Sequence, residues 1–382
     1  MNFDLSDEQI LLREAARDAF GRVRTIEAAR EALEGGTLPD LWPTAQQAGW
    51  TGLLIDEAHG GAGLGAIDAM LVLAEAGRVL ASVPLLGHLP ATALVNAGGS
   101  HSALLGALAA GHERAAFVPL RPGDDVDATW TAEPRSSRRR APAPTVGGYE
   151  GPDAGQPFDV VVSGSVAWVP DAPGASFLVV VALDDGVPTA VVVEGGDSRV
   201  EIERASVYDA TRPLGHVTFD GARGFRLNVG EQELRRAWFL AHALIAAESL
   251  GAVEECLERS VAYAKERYTF GRAIGSYQAV KHALTEVLRR QENTRSLLYY
   301  AGWAYADQPS EFAAAASAAR SAGGAALDFA AREVISVHGG IGATWEHDAP
   351  LFFRRAQLSR RLLGGTGDAV DRLAGELLAG AA

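Results

Sequence analysis

The sequence predicts an α+β chain in three successive blocks: an N-terminal helical bundle, a middle β-barrel or sandwich, and a C-terminal four-helix bundle. Nine of the 17 prolines fall between Pro122 and Pro188, whereas none lies between Pro213 and Pro309. Proline breaks helix interiors and central strands, so the first stretch suits loops and short strands and the second suits long helices. Apolar residues also recur at helical spacing in the first and last blocks but cluster in short Val, Ile and Phe runs in the middle. The block boundaries are expected at 1–112, 113–222 and 223–382.

Ser6 and Gln9 form a capping box and Leu5 with Ile10 has staple spacing, so the first helix is expected to begin near Asp7. Ala16, Phe20 and Val23 continue its apolar stripe. Further helices are expected around Leu41 to Ala48, Ile67 to Val79, Pro90 to Val95 and His101 to Ala110. Strands are expected at Ala115 to Leu120, Val160 to Ser163, Phe177 to Val181, Ala190 to Val193, Val200 to Ile202 and Val217 to Phe219. Between the first two lies a long Pro- and Arg-rich stretch, Arg121 to Pro157, expected to be an exposed connection. Ala-, Leu-, Glu- and Arg-rich segments at Gln232 to Glu266, Tyr277 to Ala306, Glu311 to His338 and Asp368 to Leu378 supply four helices for an antiparallel bundle.

Composition narrows the function. The 382 residues carry 34 Lys+Arg against 48 Asp+Glu, a net charge of −14, which argues against nucleic-acid binding because phosphate backbones are held by positive charge. No apolar run approaches the roughly 20 residues that span a bilayer, and the acidic start is unlike a secretory signal, so a cytoplasmic protein is expected. Cys256 is the single cysteine, which excludes an intrachain disulfide and any thiolate metal cluster. The nine histidines show no metal-ligand pairing, and Glu346, His347 and Asp348 are a weak triplet.

Several motifs carry candidate chemistry. His59 to Gly65 (HGGAGLG) follows a strand-like LLID, but its glycines alternate where a dinucleotide fingerprint needs G-x-G-x-x-G, so a loop joining helices is expected. Arg135, Arg138, Arg139 and Arg140 could meet a phosphate, although a charge run in such a loop is usually a solvated face. Glu266 to His282 (ERYTFGRAIGSYQAVKH) places Arg267 at a helix break before a new helix N-terminus, the chemistry of a pyrophosphate site. Ser336 to Asp348 (SVHGGIGATWEHD) ends a helix on paired glycines that admit a ligand close to backbone. Helix capping explains either stretch alone equally well.

These two stretches in this order resemble the acyl-CoA dehydrogenase family. The likeness extends to FDLSDEQILLREAARD, GWTGLLIDEAHGGAGLG, EAGRVLASVPLL, VSGSVAWVPDA and TRPLGHVTFDGA, and so to nearly the whole chain. The resemblance implies the α-β-α architecture and an FAD between the β module and the last bundle, reaching a neighbouring subunit. It implies cofactor contacts for Arg267 at the pyrophosphate, Thr269, Phe270 and Ile274 toward the adenine side, Gln278 by hydrogen bonding, Gly339 and Gly340 along the dinucleotide, Trp168 beside the flavin ring, and Thr366. The implied reaction removes the α-proton of an acyl-CoA thioester with a carboxylate while the β-hydrogen leaves as hydride, with electrons passed on to an electron-transfer flavoprotein.

At the family's base position, a glutamate before a Gly-Thr pair, this chain has Gly364 in LLGGTGD. The family's alternative base position falls at Ala241, with His242 next, and neither is a carboxylate. Glu248 lies about two helical turns further on and is the candidate substitute. Ser336 replaces a usual glutamine and VPLRP at Val118 to Pro122 replaces a usual Thr-Glu-Pro strand. A homo- or hetero-oligomer with a homologous subunit is expected, and three readings follow: a subunit of a heteromeric dehydrogenase whose homologous sister supplies the base, a homomeric dehydrogenase with a relocated base, and a flavin-dependent oxygenase or non-catalytic module on the same scaffold.

Overall fold

A computed structural model describes residues 4–99, 101–120, 143–149 and 158–379. Helices come first, as α1 (Asp7–Gly21), α2 (Thr25–Ala32), α3 (Trp42–Gln47), α4 (Ala66–Arg78), α5 (Leu85–Ala97) and α6 (Ser102–Ala109). Seven strands follow: β1 (Ala115–Val118), β2 (Thr145–Gly148), β3 (Val160–Pro170), β4 (Phe177–Asp184), β5 (Val187–Glu194), β6 (Val200–Arg204) and β7 (Leu214–Arg226). The C-terminal block contains α7 (Glu231–Glu266), a hairpin of β8 (Tyr268–Thr269) and β9 (Arg272–Ala273), α8 (Gln278–Asp307), α9 (Phe312–His338), α10 (Ala349–Ser359) and α11 (Gly365–Ala379).

The Ser6 box forms in full: Gln9 N–H donates to Ser6 Oγ at 3.2 Å and Ser6 N–H to Gln9 Oε1 at 3.1 Å. In contrast, the strand-like LLID forms no strand. It runs through a turn, and Gly61 is needed because a Cβ there would lie 2.0 Å from the Ile55 carbonyl oxygen. The glycines of this segment serve a close backbone approach and lead into α4, where Gly65 N–H donates to Asp68 Oδ2 at 2.9 Å.

The strands pair in the order β1-β4-β2-β3-β7-β5, and a further β4–β5 pairing closes the sheet on itself. β2 corrects the expectation of a bare connection: Thr145 to Gly148 pair antiparallel with Ser163 to Val160 of β3. The Arg135 to Arg140 cluster lies outside the described residues. α2 and α10 are also additional to the sequence expectation.

α5 starts at Leu85 rather than Pro90 because of a partner far along the chain. The Asp171 carboxylate, at the end of β3, accepts from Gly87 N–H at 2.8 Å and caps the helix from the β module. His88, fully buried on α5, bridges blocks in the other direction. Ala115 N–H donates to its Nδ1 at 3.2 Å, and Nε2 lies 3.0 Å from the Thr51 carbonyl, which assigns the proton to Nε2.

The core is continuous across the helical blocks because α4 and α7 cross almost in backbone contact. A Cβ on Gly251 would lie 1.7 Å from the Ala74 carbonyl oxygen, and one on Gly77 2.1 Å from that of Glu248. Around the crossing, Arg78 donates to Glu254, Glu255 and Glu258 of α7. Gly251→Ala should therefore cost about 3 kcal/mol, since neither helix backbone can yield; a lowered urea midpoint checks this.

Burial pushes the His88 imidazole down from 6.5 to about 4, with the Arg114 charge acting the same way. The unfolded chain takes up this proton below 6.5, so the contribution is complete above 6.5 and is lost as pH falls toward 4. Asp171, raised by burial from 3.8 to about 6, acts oppositely over much of that range. The difference between wild type and His88→Gln is therefore the informative quantity. Wild type should lose roughly 3 kcal/mol relative to the variant between pH 6.5 and 4, measured by urea unfolding at each pH.

Candidate functional site

The candidate residues fall into two groups set by the length of α7. The first lies where the β module meets α7 and the turn between α10 and α11. Trp168 sits in a β3 irregularity, the register shift between Val166 and Val169, with a left-handed φ of 59°. Its ring meets His216 edge-on at 4.5 Å, and it packs against the core cluster that contains Ala241, Leu362 and Leu363. That φ is uncommon for a bulky side chain and re-aims the indole out of strand alternation.

The turn after α10 carries Gly364. Leu363, Gly364 and Gly365 all have left-handed φ, at 51°, 82° and 84°. Gly365 N–H donates to the Leu362 carbonyl at 3.0 Å and Thr366 N–H to that of Arg360 at 3.1 Å. His242 Nε2 lies 2.9 Å from the Leu363 carbonyl. The two base positions named from sequence, Gly364 and Ala241 with His242, are thus brought together by one hydrogen bond. Asp368, which sequence reasoning passed over, is half-buried one turn beyond Gly364 in the first turn of α11.

Glu248 does not open onto this position. It is buried, and Arg212 donates to both its oxygens, Nη2 to Oε2 at 2.6 Å and Nη1 to Oε1 at 3.3 Å. Arg355 stands 3.9 Å from Oε1 and donates through Nε to Asp209 Oδ2 at 2.6 Å and through Nη2 to the Thr211 hydroxyl at 2.6 Å. That hydroxyl in turn donates to Asp209. Burial raises the Asp209 carboxyl, but Arg355, Thr211 and Arg212 together hold it below its usual range. Burial likewise lowers the Arg212 guanidinium, and Glu248, Asp209 and Asp171 more than offset it. The substitute-base expectation for Glu248 gives way to a structural one: its carboxylate is an ion-pair anchor between the β module and α7. The sequence signal for this was the Asp209-x-Thr211-Arg212 run, which sequence reasoning used only as part of a family segment.

The second group lies at the far end of α7. Arg267, its C-cap, is roughly 39 Å from Ala241 along the helix axis at about 1.5 Å per residue. It is exposed and enters no ion pair among the described residues. Phe270 and Gly271 turn the β8–β9 hairpin with φ of 52° and 80°, leaving Phe270 92% exposed. Tyr277 Oη donates to the Thr269 carbonyl at 3.0 Å, and Ile274 N–H donates to that of Arg267 at 2.8 Å. Gln278 opens α8, whose N-cap makes no side-chain hydrogen bond. Gly339 and Gly340 end α9 beside them, placed by the Tyr263–His338 ring contact at 4.3 Å, and a Cβ on either glycine would meet nothing within 4 Å. The fold therefore gathers Arg267, Phe270, Ile274, Gln278, Gly339 and Gly340 at one end and Trp168, Gly364 and Thr366 at the other.

No group of side chains among the described residues is placed to hold a metal ion, and no described helix is long and apolar enough to cross a membrane. Burial pushes the Cys256 thiol up, which keeps it protonated and inert.

Comparison with known proteins places this α-β-α protomer among oxidoreductases that act on acyl-CoA. Residues 6–102 match the acyl-CoA dehydrogenase N-terminal domain model and residues 240–375 the C-terminal domain model. The acyl-CoA dehydrogenase IpdE2 of Mycobacterium tuberculosis is 31% identical over 375 residues, covering 97% of this chain and 98% of the relative. The chain belongs to the acyl-CoA dehydrogenase family. Among solved structures, a variant of the steroid acyl-CoA dehydrogenase Tcur3481-Tcur3483 superposes with a TM-score of 0.84 at 28% identity, covering 98% of this chain and 99% of that one. The ChsE4-ChsE5 complex from Mycobacterium tuberculosis shares the fold, with a TM-score of 0.83 at 24% identity and 99% coverage of both chains.

Leaving Arg212 or Arg355 buried opposite an empty position is costly. Glu248→Ala should destabilise the chain by about 3 to 5 kcal/mol in chemical denaturation, with Glu248→Gln costing less because one acceptor oxygen remains.

Proposed function

We propose that this chain is a subunit of an FAD-dependent acyl-CoA dehydrogenase that introduces an α,β double bond into an acyl-CoA thioester, and that a homologous sister subunit supplies the catalytic carboxylate. The observation that carries this is the backbone at Gly364. With φ at 82° the position favours glycine, and a glutamate there would be strained. His242 is tied to the neighbouring carbonyl and Glu248 is committed to Arg212. The IpdE2 relative is named an acyl-CoA dehydrogenase, and the two solved relatives are named as paired proteins, which supports a heteromer.

The residues present fit FAD. Arg267, exposed and without an ion pair among the described residues, stands beside the start of α8, whose N-cap makes no side-chain hydrogen bond, two features that suit a pyrophosphate. Open space over Gly339 and Gly340 leaves room for the dinucleotide to lie against backbone, and exposed Phe270 with Ile274 offers an apolar face to the adenine side. Trp168 would pack beside the flavin ring, and the Thr366 hydroxyl would contact the cofactor. FAD, when bound, supplies the hydride acceptor.

The chain's own part in the proton step is orientation. An α-proton of a thioester becomes acidic enough only if the carbonyl oxygen is stabilised as charge develops on it. Gly365 and Thr366 spend their N–H groups on the turn, whereas Gly364 N–H has no backbone acceptor among the described residues and is the donor left for that oxygen. The sister subunit's carboxylate takes the proton, and the electrons pass to an electron-transfer flavoprotein.

Expression alone and together with a homologous, glutamate-bearing subunit tests this. Only the co-expressed assembly should hold stoichiometric FAD and be bleached by an acyl-CoA without oxygen. Bleaching of the chain alone would establish a self-sufficient dehydrogenase, and substrate-dependent oxygen uptake an oxygenase. Gly364→Glu in the co-expressed assembly should not raise the rate of dehydrogenation, because the strained backbone does not present the new carboxylate.

A further inference from the structure

Arg320 projects from α9 into the protein interior and is fully buried. Among the described residues it has no carboxylate within ion-pairing distance, and its Nε and Nη1 have no hydrogen-bond partner. Burying a guanidinium without a carboxylate is costly, so its one set of contacts must account for its presence. Those contacts all lie at the Gly364 turn. Nη2 donates to the Ser359 carbonyl, in the last turn of α10, and to the Leu362 carbonyl at 3.2 Å. The same two oxygens accept from Leu362 N–H at 3.3 Å and Gly365 N–H at 3.0 Å. Arg320 thus caps the negative end of α10 and closes the start of three consecutive left-handed residues.

The next residue is held from the same helix. A Cβ on Gly324, one turn along α9 from Arg320, would lie 2.3 Å from Thr366 Cγ2 and 3.6 Å from Arg320 Nη1. Gly324 therefore lets Thr366 settle against α9 directly beside the guanidinium. A left-handed Leu363 is unfavourable in itself and persists only where its surroundings over-determine it. The His242 contact to its carbonyl and the Arg320 contacts before it supply that determination.

We infer that Arg320 is a positioning residue: its buried guanidinium sets the turn from Leu362 to Thr366, and thereby the direction in which Gly364 N–H and the Thr366 hydroxyl face the cleft. The assignment of that face to thioester and cofactor rests on the proposed function; the clamp on the turn does not. Burial, with the Arg212 charge adding to it, pulls the guanidinium down to about 9, and it stays cationic at neutral pH.

Amide hydrogen exchange on the full chain, alone and in its assembly, tests the clamp with three variants. Arg320→Met should speed exchange at the Gly365 and Thr366 amides at least tenfold beyond any change in the α4–α7 core. Leu327→Ala, which removes core packing from the same helix without touching the turn, should not produce that local excess. Arg320→Lys, which keeps a cation and N–H donors, should restore protection at least in part, and the same order should appear in FAD affinity read from flavin fluorescence. Equal exchange in the Met and Leu327→Ala variants, or no recovery in the Lys variant, would overturn the inference. If Arg320→Met does not fold, a Lys variant with wild-type global stability and unprotected turn amides overturns it as well. Absence of FAD from every wild-type assembly would instead overturn the proposed function and leave the exchange result standing.

Discussion

The buried pair of Arg212 and Glu248 is the constraint around which the junction of the three blocks is arranged. Arg212 belongs to the loop before β7 and Glu248 to the middle of α7, so each is desolvated by an element that the other holds in place. A buried pair of this kind contributes little beyond a well-packed apolar pair of the same volume, because desolvation consumes most of the attraction. Its effect is one of register. Only one placement of the β module on α7 satisfies Glu248, Arg355, Asp209 and Thr211 together. Sliding α7 by a turn would strand the Arg212 guanidinium without its carboxylate and draw Glu248 away from Arg355. The same placement brings Asp171 over the start of α5, so the N-terminal helices are located by the same junction.

From that register the local chemistry of the cleft follows. Glu248 cannot serve both as anchor and as base, because a base must present an oxygen to substrate while both of its oxygens are spent on Arg212. At Gly364 the constraint lies in the backbone: the turn is built in a conformation that a side chain makes expensive. Where the family resemblance leads one to expect a carboxylate, the turn is shaped for glycine and tied to α7 and α9, which is more than the change of one side chain.

Much of this was legible in the sequence wherever the cause was local. The Ser6 box, the proline gap across α7 and α8 and the long Ala- and Leu-rich helices act through neighbours a few residues away, and their elements appear within a few residues of expectation. What was not legible depends on distant partners. β2 is four residues of weak strand character whose partners are in β3. The start of α5 depends on Asp171, 84 residues from Gly87. LLID has strand composition but lies where Gly61 brings the chain back against Ile55. In the site, residue types marked the candidate positions, but whether Glu248 was open or occupied depended on Arg212, 36 positions earlier.

The two groups of candidate residues also bear on assembly. A helix is rigid, and α7 holds Arg267 roughly 39 Å from the Gly364 turn, so no side-chain rearrangement within one protomer brings them to the same part of a ligand. If both groups contact FAD, as the proposed function requires, the ends must come from different chains. Phe270, almost wholly exposed at the tip of a tight hairpin, is what such an arrangement needs, since a large apolar side chain in that position gains burial only from another molecule. In a heteromer the requirement acts in both directions. This chain's hairpin completes its sister's cofactor site, and the sister's hairpin completes the site beside Gly364. On the proposed reading this chain therefore contributes to both sites, through its Gly364 turn to its own and through its Arg267 end to its sister's.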